Sequence, residues 1–108
     1  MKLPNALRAW VEAPKIQAYL LNLNHPKGGS KARFFIRHGF NLEHWQQLAD
    51  AFIFHAWTGE ATFAFKKKRG DMWTVLGPMP CPSGKQPLVL SVWCVENDIP
   101  RLVSAYPG

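Results

Sequence analysis

The sequence is short of acidic residues. Its 108 residues include seven Asp and Glu against thirteen Lys and Arg, which leaves a formal net charge of +6. The few carboxylates are scattered, so they give little support to a magnesium site built from clustered acids. A small basic protein favours polyanions such as nucleic acid, an acidic protein or an anionic membrane surface, although charge can also serve solubility alone.

Cysteine is equally scarce. Cys81 lies in a proline-rich turn and Cys94 in an apolar run, and this placement matches neither a zinc-binding spacing nor a disulfide framework. The sequence also lacks an HExxH motif, a glycine-rich phosphate loop and a CxxC pair. Its four histidines form no ligand pattern. We therefore expect a protein that works without a metal or another cofactor.

Long hydrophobic runs are missing too. No run approaches the roughly 18 apolar residues of a membrane span, and the first ten residues, MKLPNALRAW, contain no apolar segment of signal-peptide length. We therefore expect a cytoplasmic protein that does not insert into a membrane. Hydrophobic residues still make up 47% of the chain, enough for a packed core. The length predicts one domain, residues 1–108.

The first half of the chain carries helical patterns. Pro14 suits the first turn of a short helix over KIQAYLLNL. A second helix is predicted from Ser30, as its N-cap, to Gly39. Asn41 can cap a third helix, in which apolar residues recur at helical spacing and should face the core. These apolar residues are Leu42, Trp45, Leu48, Ala49, Phe52 and Ile53.

The second half reads as short strands. TFAF, MWTVL, LVLSVWCV and RLVSAY are β-rich runs separated by turn residues. Connections this short favour hairpins, and the nearly continuous apolar run LVLSVWCV should be a central strand. The order of elements predicts an α+β fold in which N-terminal helices pack on a roughly four-stranded antiparallel sheet.

A basic segment at residues 24–38, NHPKGGSKARFFIRH, stands out by its spacing. Lys31 shares a helix face with Phe34 and Phe35, so it lies at the border of the buried face, where a charge either snorkels or meets a partner. His25 precedes a Gly-Gly turn and can return toward the start of that helix, where backbone N–H groups favour an anion. A solvated helix face and a polar loop residue are the alternatives.

A second candidate group lies in the last strand. Because side chains alternate along a strand, Ser104 and Tyr106 should share one face with Leu102. Val103 and Ala105 should then lie on the opposite face. Two hydroxyls on one face offer hydrogen-bond donors to a ligand, whereas the alternative is an ordinary edge strand with polar residues near the chain end.

The sequence resembles a small bacterial domain family of uncharacterised function, and the resemblance spans nearly the whole chain. It rests on MKLPNA, YLLNLNHPKGGSKARFF, VLGPMPCPSGK, VWCVE and PRLVSAYP. Members of that family occur as stand-alone proteins and at the C-termini of larger secreted toxins. The family is similar to the barnase–EndoU–colicin–RelE-like group of metal-independent RNase toxins.

This resemblance implies a metal-independent endoribonuclease toxin, part of a toxin–antitoxin pair, that cleaves RNA by attack of the 2′-hydroxyl. The expected partners are RNA and an acidic antitoxin or immunity-type protein. The recurring polar positions of the family, our candidate catalytic residues, are His25, Lys31, Ser104 and Tyr106. The candidate RNA-binding residues are Lys27, Arg33, Arg37, Lys66, Lys67, Lys68, Arg69 and Arg101.

RNA supplies its own nucleophile, so such a site needs only proton transfer and stabilisation of the phosphate. His25 is the expected proton-transfer group, because histidine titrates near neutral pH. Lys31, helped by Arg33 or Arg37, is expected to hold the phosphate. Ser104 and Tyr106 would donate hydrogen bonds to it, or Tyr106 would take part in proton transfer.

One departure bears on activity. Relatives carry a Tyr-Gly pair and a lysine where this chain reads Arg69-Gly70-Asp71-Met72. This copy is therefore expected to be weakened or inactive unless a residue within 66–69 replaces that lysine. The alternative function, from a different class, is a non-catalytic module that binds RNA or an acidic protein.

Overall fold

Four strands form one antiparallel sheet in the computed structural model, which describes residues 1–108. In sheet order they are β1 (Glu60–Lys66), β2 (Asp71–Pro78), β3 (Leu88–Glu96) and β4 (Ile99–Pro107). A 3-10 turn (Ala6–Arg8) and three helices precede them: α1 (Ala13–Lys15), which continues as a π-helical turn (Ile16–Leu20), α2 (Gly29–Arg37) and α3 (Trp45–Thr58). The predicted α+β fold is confirmed, and LVLSVWCV is a central strand.

Pro14 lies in the first turn of α1 as expected.

The limits of α2 differ in part from the prediction. The N-cap of α2 is Gly28 rather than Ser30, and no side chain caps this helix. Gly39 follows the C-terminus of α2 with a φ of 100°, a left-handed conformation that favours glycine.

The start of α3 also lies later than the sequence predicted. The Asn41 Oδ1 accepts a hydrogen bond from the His44 backbone N–H at 2.9 Å, within the turn that leads to α3, and His44 takes the N-cap position. Leu42 lies in the same turn and is 54% exposed. Its predicted place in the core is therefore wrong, because the helical periodicity begins only at Trp45.

The core lies between α3 and one face of the sheet. Phe35 of α2 meets Phe52 of α3 edge to face at 5.6 Å between ring centroids, an arrangement that aromatic pairs prefer. Trp93 of β3 is fully buried on the same side. No helix of the chain is long and apolar enough to cross a membrane.

One polar network is fully buried in this core. The His55 Nε2–H donates to the Gly77 carbonyl at 3.0 Å, so the Nδ1 of this ring accepts from the Ser91 hydroxyl at 2.8 Å. The Trp93 Nε1–H donates to the same Ser91 oxygen at 2.8 Å. Burial lowers the pKa of His55, although its backbone hydrogen bonds oppose that shift. The fold therefore favours the neutral form of this ring.

A β-bulge interrupts the pairing of β3 with β4. Val92 pairs with Ser104, but the next residue of β3, Trp93, pairs with Leu102. Val103 is consequently an extra residue with no partner across the ladder. A bulge of this kind changes the alternation of side chains and increases the local twist.

The bulge alters which residues of β4 share a face. Leu102 and Ala105 both lie in the core. Val103, Ser104 and Tyr106 line the same surface depression on the other side of the strand. The predicted common face of Ser104 and Tyr106 is confirmed. The placement of Leu102 beside them, with Val103 opposite, is wrong because the extra residue shifts the alternation.

Candidate functional site

A hydrogen bond between two hydroxyls connects the helical half of the chain to the sheet. The hydroxyl of Tyr19, in the π-helical turn, lies 2.9 Å from the Oγ of Ser104 in β4. Ser104 is buried and the Tyr19 ring is half-buried. The hydroxyl of Tyr19 is thus held at the edge of the sheet, where it remains close to solvent.

Two lysine ammonium groups surround the Tyr19 ring. The Lys31 Nζ lies 5.5 Å from the Tyr19 ring centroid and 4.7 Å from that of Tyr106, both within the range of a cation–π contact. The Lys15 Nζ lies 5.4 Å from the Tyr19 ring centroid. The same Lys31 ammonium donates to the Lys27 carbonyl at 3.2 Å. Lys31 therefore does meet partners at the border of the core, namely two aromatic rings and a carbonyl.

These neighbours change the acidity of Tyr19. Burial by itself would raise the pKa of the phenol, but the hydrogen bond with Ser104 and the charges of Lys31 and Lys15 outweigh it, so the pKa is lowered. Hydrogen bonds and nearby cations favour the charged phenolate. A lowered pKa increases the fraction of phenolate near neutral pH, and the phenolate is the form that can accept a proton.

His25 is fixed by the turn that follows it. Its Nδ1 accepts the backbone N–H groups of Lys27 at 3.0 Å and Gly28 at 2.9 Å. An imidazole nitrogen that accepts hydrogen bonds carries no proton, so the neutral ring bears its proton on Nε2. The ring also meets Tyr19 edge-on, with 4.9 Å between centroids. His25 therefore offers the site a hydrogen-bond donor and has no free lone pair.

The Gly-Gly turn is explained by how closely the chain approaches Tyr19. A Cβ at Gly28 would lie 2.5 Å from the Tyr19 Cδ1, a distance that no side chain tolerates. Only glycine lets the backbone pass beneath the ring. A Cβ at Gly29 would meet the Leu23 carbonyl oxygen at 2.8 Å. The turn therefore holds His25 and the start of α2 against Tyr19.

These residues surround an open surface depression of about 410 Å³. Three predicted catalytic residues, His25, Ser104 and Tyr106, line it, and Lys31 lies against the rings of both tyrosines that do so. These are the two tyrosines of the chain. The remaining lining residues are Lys15, Lys27 and Val103. The depression combines cations, hydroxyls and a phenol with a lowered pKa. Its cations and hydroxyl donors suit an anionic ligand.

The predicted RNA-binding residues fall into four groups. Lys27 lines the depression, as just described. Arg33 and Arg37 are exposed on α2 and do not line it. Lys66 is exposed and lies 3.8 Å from an Asp71 carboxylate oxygen. The others line a second cavity nearby: Lys67, Lys68, Arg69 and Arg101.

The sequence reasoning missed Tyr19 and Lys15. Both lie in KIQAYLLNL, a pattern that predicts only a short helix. Two signals were present, since tyrosine occurs just twice in the chain and Lys15 precedes Tyr19 by four residues, a spacing that brings helical side chains together. Neither signal shows that the ring points toward β4, because that depends on the packing of distant segments.

The fold and this depression define a small α+β protein with a basic surface depression that two tyrosines line. Residues 2–108 match the model of the family described as Domain of unknown function (DUF6883), and the chain belongs to this family. The expected membership of a domain family of uncharacterised function is thus confirmed. No curated protein matches the chain.

A solved structure has a similar fold. It is a chain of the "Contact-dependent growth inhibition toxin - immunity protein complex from Klebsiella pneumoniae 342". The TM-score is 0.71 at 18% sequence identity, and the alignment covers 91% of this chain and 98% of that chain. At this identity the likeness shows a shared fold.

Proposed function

We propose that this chain is a metal-independent endoribonuclease toxin. The observation that carries the proposal is the position of the Lys31 ammonium against the rings of Tyr19 and Tyr106, beside the hydrogen bond between Tyr19 and Ser104. One depression thereby holds a cation, hydroxyl donors and a proton acceptor. The fold shared with one chain of a toxin–immunity complex supports a role in a complex of this kind.

Tyr19 is the proton acceptor in this mechanism. Its phenolate takes the proton of the ribose 2′-hydroxyl while the O2′–P bond forms. The lowered pKa of Tyr19 increases the fraction of phenolate near neutral pH, which is what general base catalysis requires. His25 was expected in this role from the sequence, but its Nδ1 is occupied by two backbone N–H groups.

The other groups stabilise the phosphate and the leaving oxygen. Lys31 and Lys15 balance the charge that develops on the phosphate, and the Nε2–H of His25 donates a hydrogen bond to it. The Tyr106 hydroxyl gives its proton to the 5′-oxygen as the P–O5′ bond breaks. The products are a 2′,3′-cyclic phosphate and a free 5′-hydroxyl, and DNA is not cleaved because it lacks the 2′-hydroxyl.

The partner of such a protein is an acidic antitoxin or immunity-type protein that covers the depression. Three lysines surround it: Lys15, Lys27 and Lys31. Aspartate and glutamate side chains of a partner would pair with them, because complementary charge gives fast and specific association. The protein is therefore expected to co-purify with an acidic partner and to be toxic when expressed without it.

The test is incubation of the purified protein with RNA in the presence of EDTA. We expect cleavage to products with 2′,3′-cyclic phosphate ends and no cleavage of DNA of the same sequence. Lys31→Ala should abolish most of the activity, whereas Lys85→Ala, an exposed lysine in the β2–β3 loop, should not. RNA retention without cleavage would instead support the non-catalytic binding module. If the protein neither retains nor cleaves RNA, both functions are overturned.

A further inference from the structure

We propose that the second cavity, next to the depression, binds a nucleotide of the same RNA strand. It has a volume of about 250 Å³, which is large enough for a base. The inference rests on the proposed function, since it assigns part of the substrate to a place. Four basic side chains and no acidic one line the cavity: Lys67, Lys68, Arg69 and Arg101.

The floor of the cavity is an apolar shelf on the outer face of the sheet. Met72 of β2 pairs with Cys94 of β3, which in turn pairs with Arg101 of β4. Met72 and Cys94 are only 4% and 3% exposed and yet they line the cavity. An apolar floor beneath cations fits a flat base that carries a phosphate, since bases stack on apolar surfaces while lysine and arginine bind the backbone.

The β1–β2 turn brings the cations over this floor. The Lys67 backbone N–H donates to the Gly70 carbonyl at 2.8 Å, which closes the turn. A Cβ at Gly70 would lie 2.4 Å from the Val95 carbonyl oxygen, so the turn lies directly against β3. Lys67, Lys68 and Arg69 are thus held at the end of the sheet beside the Met72 side chain.

Most of these charges have no carboxylate to balance them. Arg101 is the exception, because its Nη1 lies 3.4 Å from Glu12 Oε1. Asp71 follows the turn, but its carboxylate is 3.8 Å from the ammonium of Lys66, outside the cavity. Cations gathered over an apolar surface repel one another and attract an anion. A phosphate is the anion that RNA supplies.

The depression and the second cavity share one lining side chain. Val103, the unpaired residue of the bulge, lines both. Arg101 and Ser104 pair with Cys94 and Val92, which are two residues apart on β3, so they are separated by roughly 7 Å at a strand rise of about 3.3 Å per residue. One nucleotide with its phosphate can bridge that distance. An RNA strand whose scissile phosphate lies beside Tyr19 can therefore place a neighbouring base over Met72.

Methionine methyl NMR tests this placement directly. The chain has three methionines, of which Met1 is 70% exposed and Met79 is fully buried in the core. Titration of methyl-labelled protein with adenosine 5′-monophosphate should shift the Met72 signal saturably and leave the other two unchanged. The double variant Lys67→Ala/Lys68→Ala should weaken this binding at least tenfold, whereas Lys85→Ala should not.

The outcomes separate this subsite from the proposed function. If the Met72 signal does not move, or moves equally with inorganic phosphate alone, the nucleotide subsite is refuted, whatever the result of the RNA cleavage assay. If the signal shifts with the nucleotide and the double variant loses the effect, the subsite stands even when no RNA is cleaved. In that case the endoribonuclease proposal fails and the subsite belongs to an RNA-binding protein.

Discussion

The Tyr19 hydroxyl lies 2.9 Å from the Oγ of Ser104, although the two residues are 85 positions apart in the chain. This contact sets the place of the Tyr19 ring between the ammonium groups of Lys15 and Lys31. It also contributes to the lowered pKa of the phenol. In the proposed mechanism, this hydroxyl is the group that accepts the proton.

Tyr19→Phe removes the hydroxyl and keeps the ring that the two lysines contact. If the hydroxyl accepts the 2′-hydroxyl proton, the cleavage rate should fall about a hundredfold or more, with RNA affinity nearly unchanged. The rate of the wild type should rise with pH through an ionisation below the ordinary tyrosine pKa of about 10. Single-turnover cleavage at a series of pH values should show that this rise is lost in Tyr19→Phe.

Tyr106→Phe is the matched control. It removes a hydroxyl from the same depression, so the rate should also drop, but the rise with increasing pH should remain because Tyr19 is intact. A Tyr19→Phe variant that cleaves RNA at the wild-type rate would show that Tyr19 serves packing alone.

Two variants of His25 separate its structural role from its role toward RNA. In His25→Asn the side-chain oxygen can still accept the N–H groups of Lys27 and Gly28, but the Nε2–H donor is gone. His25→Ala loses both, so it should cost about 0.5–1.5 kcal/mol of stability, the usual net contribution of an intramolecular hydrogen bond. We expect both variants to cleave RNA poorly. Only His25→Ala should unfold at a lower urea concentration than the wild type.

The two hydrogen bonds from the turn are the reason to expect a loss of stability in His25→Ala. Wild-type activity in His25→Asn would show that the Nε2–H donor does not touch the phosphate.

Gly28→Ala tests the fit of the turn beneath Tyr19. The added methyl would lie 2.5 Å from the ring and 3.0 Å from the Tyr19 carbonyl oxygen, so the ring or the turn must move. We expect a destabilisation of about 1–3 kcal/mol and a loss of cleavage. Thermal unfolding and the cleavage assay measure the two effects. The exposed neighbour Ser30→Ala should change neither, and an equally stable, active Gly28→Ala would refute the close approach.

The buried His55 predicts a pH dependence of stability. Burial lowers the pKa of His55 in the folded protein, while a histidine in the unfolded chain has a pKa of about 6.5. Below about pH 6.5 the unfolded state therefore binds a proton that the folded state does not, so stability should decrease as the pH falls. The decrease should stop once the pH is below the folded pKa.

Urea unfolding on both sides of pH 6.5 measures this effect. His55→Gln keeps a donor for the Gly77 carbonyl but cannot titrate, so its stability should depend less on pH in this range. His44→Gln, at an exposed site, should behave like the wild type. An unchanged pH dependence in His55→Gln would exclude His55 as its source.

RNA binding should weaken steeply as salt rises, because each lysine that contacts a phosphate releases counterions. Lys27→Ala and Lys31→Ala should each reduce the slope of log affinity against log salt by about one unit. Arg33 lies outside the depression, so Arg33→Ala should reduce the slope only if the RNA strand also runs along α2. Filter binding at several salt concentrations gives these slopes, and a flat dependence in the wild type would exclude a phosphate site here.

The local sequence determined most of the secondary structure. Alternating and continuous apolar runs predicted all four strands, and the short connections left antiparallel neighbours as the only arrangement. The turn between β3 and β4 is set by Asn97 and Asp98, with φ values of 53° and 62°, residue types that tolerate the left-handed region. Proximity along the chain is enough for such features, since each depends on a few adjacent residues.

The tertiary structure decided the make-up of the candidate site. The bulge at Val103 arises from the pairing of two strands, and it determines which side chains of β4 lie beside Tyr19. The tautomer of His25 depends on how the turn folds back, and the lowered pKa of Tyr19 depends on charges and a hydroxyl from three segments. No periodicity within one segment encodes these contacts, because their energies exist only once the helices have packed against the edge of the sheet.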